Sequence, residues 1–208
     1  MSIEEERGTE EVKLDVNKDL LVKYRVHLGR NVKTPFSEGF IYAHHQKGFY
    51  LIDLSKTLEK LKAAAKLLAQ YNPEEVLVYS AREYASKGIE TLSKLTGFRG
   101  LSGRLYPGTL TNYLLSHHID ASLLFVIDHT YDLQAVDEAI KVKIPIISLV
   151  DTNSDGSFVD LAIPANNKGR LAIAAILWSL AVLYLRERGI LKENEVIDLK
   201  IEDFAAEA

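Results

Sequence analysis

A doubly wound α/β domain built on a parallel sheet is the fold this sequence predicts, and three observations predict it. Apolar runs of strand length, Tyr50 to Leu54, Val76 to Tyr79, Leu123 to Ile127, Ile146 to Val150 and a shorter Val159 to Ile163, recur along the chain. Segments of helical length and amphipathic spacing separate them. The runs themselves do not alternate apolar with polar residues, so both their faces need cover, and helices on both sides of a parallel sheet supply it.

The elements follow in order. Lys18 to Leu28 reads as a short helix ended by Gly29, after an acidic and flexible N-terminal stretch, residues 1–17. Arg30 to Gly48 reads as a basic loop. Helices are expected at Lys56 to Tyr71, Arg82 to Thr96, Leu110 to His118 and Leu133 to Lys143. The last is Lys168 to about Arg188, stopped by Gly189. Its apolar stretch, Leu171 to Leu185, is shorter than the roughly 20 residues that cross a bilayer, so it reads as a buried helix. One domain, 18–190, is therefore expected, with an acidic tail at 191–208.

Composition narrows the function classes. The chain has 208 residues and no cysteine, which excludes disulfides and thiolate chemistry. Its first residues are acidic, unlike a secretion signal, so a cytoplasmic protein without a membrane partner is expected. The net charge of −4 speaks against a simple nucleic-acid binder, but its distribution is uneven. Residues 18–48 carry Lys18, Lys23, Arg25, Arg30, Lys33 and Lys47 against Asp19 and Glu38, a net of +4. Residues 82–104 carry Arg82, Lys87, Lys94, Arg99 and Arg104 against Glu83 and Glu90, a net of +3. Two basic stretches in an acidic chain fit a protein that turns one face to RNA phosphate. A pair of solvated faces is the plainer alternative.

Chemistry is hard to find. Asp53, Asp128 and Asp151 each close an apolar run, and ligands of open α/β sheets gather at the carboxyl ends of strands. They are the best case for an enzyme or a nucleotide- or sugar-phosphate-binding protein. The same residues could equally cap helices. The turn after Val76 to Tyr79 is Ser80-Ala81-Arg82-Glu83, with no glycine pattern for a phosphate loop. Adjacent histidines such as His44-His45 point apart and make poor metal pairs, so neither metal nor cofactor is expected.

The most informative segments are polar corners: Gly103-Arg104-Leu105-Tyr106-Pro107-Gly108-Thr109-Leu110-Thr111-Asn112, then Val150-Asp151-Thr152-Asn153, then Ile163-Pro164-Ala165-Asn166-Asn167-Lys168. Pro107 presets a turn, Gly108 tolerates its dihedrals, and Thr109 or Thr111 can cap a helix start. Any one is an ordinary turn. Together, and with Val26-His27-Leu28-Gly29, Phe49 to Thr57, Ala135 to Ala139 and Ile144 to Ile147 in the same order, the chain resembles the ribosomal protein S2 family over about residues 18–188.

The resemblance implies a flavodoxin-like sheet and a non-enzymatic constituent of the small ribosomal subunit, between head and body. Its partners would be small-subunit rRNA and neighbouring ribosomal proteins, with no small-molecule substrate. On that reading the rRNA-binding residues are Arg25, His27, Arg30, Lys33, Lys47, Arg82, Arg99, Arg104, Thr109, Thr111 and Asn112. Asn112 leads within about ten residues into Leu123 to Ile127, so the bacterial branch's helical hairpin is missing and the archaeal and eukaryotic form is implied. The chain stops soon after its last helix, without the long acidic tail of eukaryotic members, which points to an archaeal source. A cell-surface adhesion role, suggested only by the eukaryotic relatives' name of laminin-receptor precursor, finds no signal peptide to support it. Two departures stand out. Tyr24-Arg25 replaces the family's usual Ala-Gly, and Asp128-His129 replaces a common Asp-Pro.

Overall fold

The computed structural model describes residues 15–192 and 195–206. Most of the acidic N-terminal stretch therefore lies outside the described residues. Among the described residues seven strands and five α-helices follow in the order α1 (Lys18–Lys23), β1 (Ile41–His44), β2 (Tyr50–Ile52), α2 (Leu54–Leu68), β3 (Val76–Ser80), α3 (Glu83–Thr96), β4 (Arg99–Ser102), β5 (Leu123–Val126), α4 (Leu133–Val142), β6 (Ile146–Val150), β7 (Leu161–Pro164) and α5 (Arg170–Glu187). Five strands form one parallel sheet in the order β4-β3-β5-β6-β7. Strand order reverses between β3 and β5, which is the switch point of a flavodoxin-like sheet.

Side chains alternate across this sheet. On one face Val76, Val78, Leu123, Phe125, Ile127, Ile147 and Leu149 pack with α2, α3 and α5. On the other, Leu77, Tyr79, Leu124, Val126 and Ile146 meet α4 and the inward side chains Leu105 and Leu110. Helix α5 is enclosed on nearly its whole circumference, from Ala172 to Leu185. The sequence expects that of its apolar run. Among the described residues no helix is long and apolar enough to cross a membrane.

Several local readings are corrected, the first being the basic loop expected over Arg30 to Gly48, which contains β1. The run Tyr50 to Leu54 does not join the parallel sheet. Its first three residues pair antiparallel with β1 in a separate hairpin, and Asp53 leaves the strand to accept the Ser55 N–H at the start of α2, 2.8 Å away. The helix expected through Leu28 stops at Lys23, because Arg25 turns left-handed at φ 58°. In a residue with a Cβ that backbone conformation costs about 1–2 kcal/mol.

No α-helix forms over Leu110 to His118. Pro107, Gly108 at φ 93° and Asn112 break the segment into turns, with mostly three-residue closures such as Leu115 N–H to Asn112 O and His118 N–H to Leu115 O. The edge strand β4 has no sequence signature, since Arg99-Gly100-Leu101-Ser102 carries one large apolar residue.

The acidic segment 191–208, which the sequence sets apart, packs on the domain where it is described. Ile201 and Phe204 are buried, Trp178 Nε1 donates to Leu199 O at 2.9 Å, and Tyr24 Oη donates to Glu202 Oε1 at 2.9 Å.

Candidate nucleic-acid interface

The carboxyl edge of the sheet collects most of the polar corners, and local bonding explains why. The segment after α1 runs along the ends of β6 and β7: Asn166 N–H donates to Val26 O, and Arg30 N–H donates to Thr152 Oγ1 at 2.9 Å. Gly29 permits this approach, because a Cβ there would overlap the Thr152 methyl and lie 3.0 Å from Tyr50 O. Thr34 and Ser37 continue the seam, their hydroxyls donating to Ser154 O and Thr152 O. On the other side of the switch point, Gly103 N–H donates to Ser80 O and Tyr79 Oη donates to Gly103 O, so Arg104 leaves β4 beside the end of β3.

Arg25, Arg30, Lys168, Arg82 and Arg104 thereby stand along one edge, from the end of β7 to the end of β4. Five strands at the usual spacing make that row about 19 Å long. Lys168 is not among the binding residues expected from sequence. Its Nζ donates to Asn153 Oδ1 at 2.8 Å and to Asp151 Oδ2 at 3.4 Å, while burial, and then the nearby Arg30 charge, lower its pKa against the pull of Asp151. Lys168 is thus paired with Asp151, and the Arg30 charge lies near enough to be felt.

The remaining expected residues divide. Arg99 is exposed at the opposite, amino end of β4. Lys47 is exposed in the turn of the β1–β2 hairpin, and Lys33 pairs with Glu38 at 2.6 Å near its base. His27 is half-buried beside that hairpin, its backbone oxygen accepting Ile52 N–H; burial lowers its pKa. Thr111 and Asn112 are exposed, Asn112 Oδ1 accepting Leu114 N–H. Thr109 is buried and its hydroxyl donates inward to Tyr106 O at 2.7 Å.

What holds the 103–112 corner is Glu138, buried on the inner face of α4. Its carboxylate accepts Gly108 N–H at 2.9 Å, Leu110 N–H at 2.8 Å and Gln134 Nε2 at 2.8 Å. Burial raises its pKa, and these donors outweigh burial to leave it below the usual value. A carboxylate among Ala135, Val136 and Ala139 on the apolar side of a helix is the signal the sequence offers for it.

The three strand-end aspartates are engaged in structural bonds. Asp53 caps α2. Asp151 Oδ1 accepts Thr152 N–H at 2.6 Å and its other oxygen meets Lys168. Asp128, almost fully buried, accepts from Arg82 Nη2 at 2.7 Å and from the Thr130 hydroxyl at 2.6 Å. An Arg82–Asp128 pair thus fills the switch point where a flavodoxin-like enzyme would admit a phosphate.

Asp132 completes that cluster. Burial raises its pKa to about 6, against hydrogen bonds from Ala81 and Asp128 N–H and the Ser80 hydroxyl, with the Asp128 charge adding to the rise. A folded-state pKa above the ordinary 3.8 means that its contribution is intact below pH 4 and lost as pH rises through 6. Asp132→Asn is therefore expected to gain stability relative to the parent between pH 4 and 7, by up to about 3 kcal/mol. Urea midpoints measured across that range check it, and a difference independent of pH would refute it.

Comparison with known proteins decides the family. The model of the family described as Ribosomal protein S2 matches residues 21–121 and 115–184. The chain belongs to the ribosomal protein S2 family. It is 45% identical over 181 residues to the small ribosomal subunit protein uS2 of Pyrobaculum aerophilum, covering 86% of this chain and 87% of that one. The uS2 proteins of Saccharolobus solfataricus, 38% identical over 193 residues, and Thermoplasma volcanium, 40% over 185, are similar across 93% and 89% of this chain and 84% and 93% of their own. The match is to the archaeal type. Family membership makes the chain a structural protein of the small ribosomal subunit, not an enzyme.

Proposed function

We propose that this protein binds small-subunit rRNA through the carboxyl edge of its parallel sheet, seated between head and body of the subunit in the cytoplasm, and supports late subunit assembly and translation. The row of cations along that edge carries the reading. Arg25, Arg30 and Arg104 neutralise phosphates, and Arg82, tied to Asp128, and Lys168, tied to Asp151, stand behind them. The helices of rRNA are read by shape and backbone, with exposed Thr111 and Asn112 adding shorter hydrogen bonds. Lys47 and Lys33 on the hairpin side and Arg99 at the amino edge extend the interface. Acidic surface elsewhere faces neighbouring ribosomal proteins.

The test is sedimentation of tagged protein with small subunits before and after a moderate-salt wash. Arg30→Glu with Arg104→Glu, both exposed, is expected to release the protein at salt that the parent survives, with the fold unchanged by circular dichroism. Every phosphate left without its cation lowers the slope of affinity against salt by about 1. Arg99→Glu, on the far edge, is expected to cost less. Equal retention of the double variant and the parent would remove the carboxyl edge from the interface.

A further inference from the structure

Five of the ten tyrosines are exposed, and three of them, Tyr84, Tyr106 and Tyr131, follow the carboxyl ends of β3, β4 and β5, Tyr84 in the first turn of α3. Tyr131 follows β5, Tyr84 opens α3 after β3, and Tyr106 lies two residues past Arg104. Large exposed rings beside the carboxyl edge are not explained by the core, although Tyr106 has the His117 ring 5.6 Å away. The arrangement around Tyr131 is also built rather than incidental. Buried Asp128 holds Arg82 by a 2.7 Å ion pair, and the Arg82 guanidinium lies 4.3 Å from the centre of the Tyr131 ring. The ring thus has one face backed by a fixed cation while 56% of the residue stays exposed.

We infer that this end of the sheet stacks unpaired RNA bases, with the Arg82-backed ring of Tyr131 as its platform and Tyr84 and Tyr106 as flanking rings. Aromatic rings accept any base by stacking, and guanidinium planes add to the stack. Exposed Arg104 supplies a phosphate contact beside it, against the exposed carboxylate of Glu83. The inference rests on the RNA-binding reading and deepens it: a duplex backbone engages the cation row, whereas this patch takes single-stranded nucleotides from a loop or bulge.

The test compares fluorescence anisotropy of the full chain with a labelled short oligoadenylate and with an abasic oligomer of equal length and charge. The parent is expected to bind the oligoadenylate about tenfold more tightly. Tyr131→Leu, which keeps an apolar cover over Arg82, is expected to lose that preference while binding the abasic oligomer as before. Equal affinity of the parent for both oligomers overturns the inference, as does a preference that survives in Tyr131→Leu. If the parent shows no base preference and Tyr131→Leu nevertheless leaves the small subunit in the gradient, the rings face a protein and the inference is likewise overturned. Failure of the parent to sediment with subunits would instead strike the RNA-binding reading itself.

Discussion

Trp178→Ala is expected to destabilise the protein by about 4 kcal/mol and lower Tm by roughly 10 °C, the largest effect of any single truncation here. Trp178 is the largest fully buried side chain, in the middle of a helix that touches α2, α3 and the C-terminal segment. Removing the indole deletes core volume and also the donor to Leu199 O, so the segment from Val196 to Ala205 loses its anchor. Trp178→Phe separates the two effects: it keeps most of the volume and forfeits one hydrogen bond, at about 1–2 kcal/mol. Thermal denaturation of both variants, with amide exchange of residues 200–205, provides the measurement. Equal losses in the two would show that volume is not what the site supplies.

Gly88→Val is expected to follow at about 3 kcal/mol. Gly88 sits mid-helix in α3, where glycine ordinarily weakens a helix, yet a Cβ there would lie 2.7 Å from Leu177 Cδ1 and 2.9 Å from Phe204 O. Leu177 can rotate away. The carbonyl of Phe204 can move only with its whole turn, so the substitution wedges α3 from both α5 and the C-terminal segment. Gly39→Ala, with nothing within 4 Å of the added carbon, is the control and is expected to stay within about 0.5 kcal/mol of the parent. Gly88→Val and Trp178→Ala strain the same segment, so their combination should cost less than the sum. A full sum in chemical denaturation would contradict that shared dependence.

The parts of the fold legible in the sequence are those whose residues answer to one environment. Strands β3, β5 and β6 are buried on both faces, so their composition is unmixed and their limits are readable within a residue or two. Helices α2, α3 and α4 have one buried side and show it by spacing. What escapes depends on distant partners. β4 is mostly exposed and exists because β3 offers it a free edge. The turns at 107–112 that Pro107 and Gly108 start are held in place by Glu138, far along the chain, which accepts the Gly108 and Leu110 N–H groups. Ile201 and Phe204 find their cover on helices that precede them.

The same division runs through the site. The polar corners are visible as motifs and do meet at one edge of the sheet. Their individual roles are not visible, because partnership across the chain decides them. Arg82 looks in the sequence like a free cation in a basic stretch, and Asp128, 46 positions later, commits it to an ion pair. Thr109 looks like an outward hydroxyl and turns inward. Lys168, which the sequence reads as the first residue of the last helix, comes near Arg30 only once residues 27–30 lie against the end of β6.

Helix α5 comes after every strand it covers. On a growing chain, the face formed by Val78, Phe125 and Leu149 is therefore complete before its main apolar cover exists, and it must wait through β7 and the helix itself. During that interval the face has only α2 and α3 against it, and the apolar surface left uncovered invites association with other unfinished chains. Nascent chains arrested before Arg170 are expected to depend on holding chaperones, and the requirement should end once residues up to Phe204 have emerged, because only then can α5 be locked down from outside.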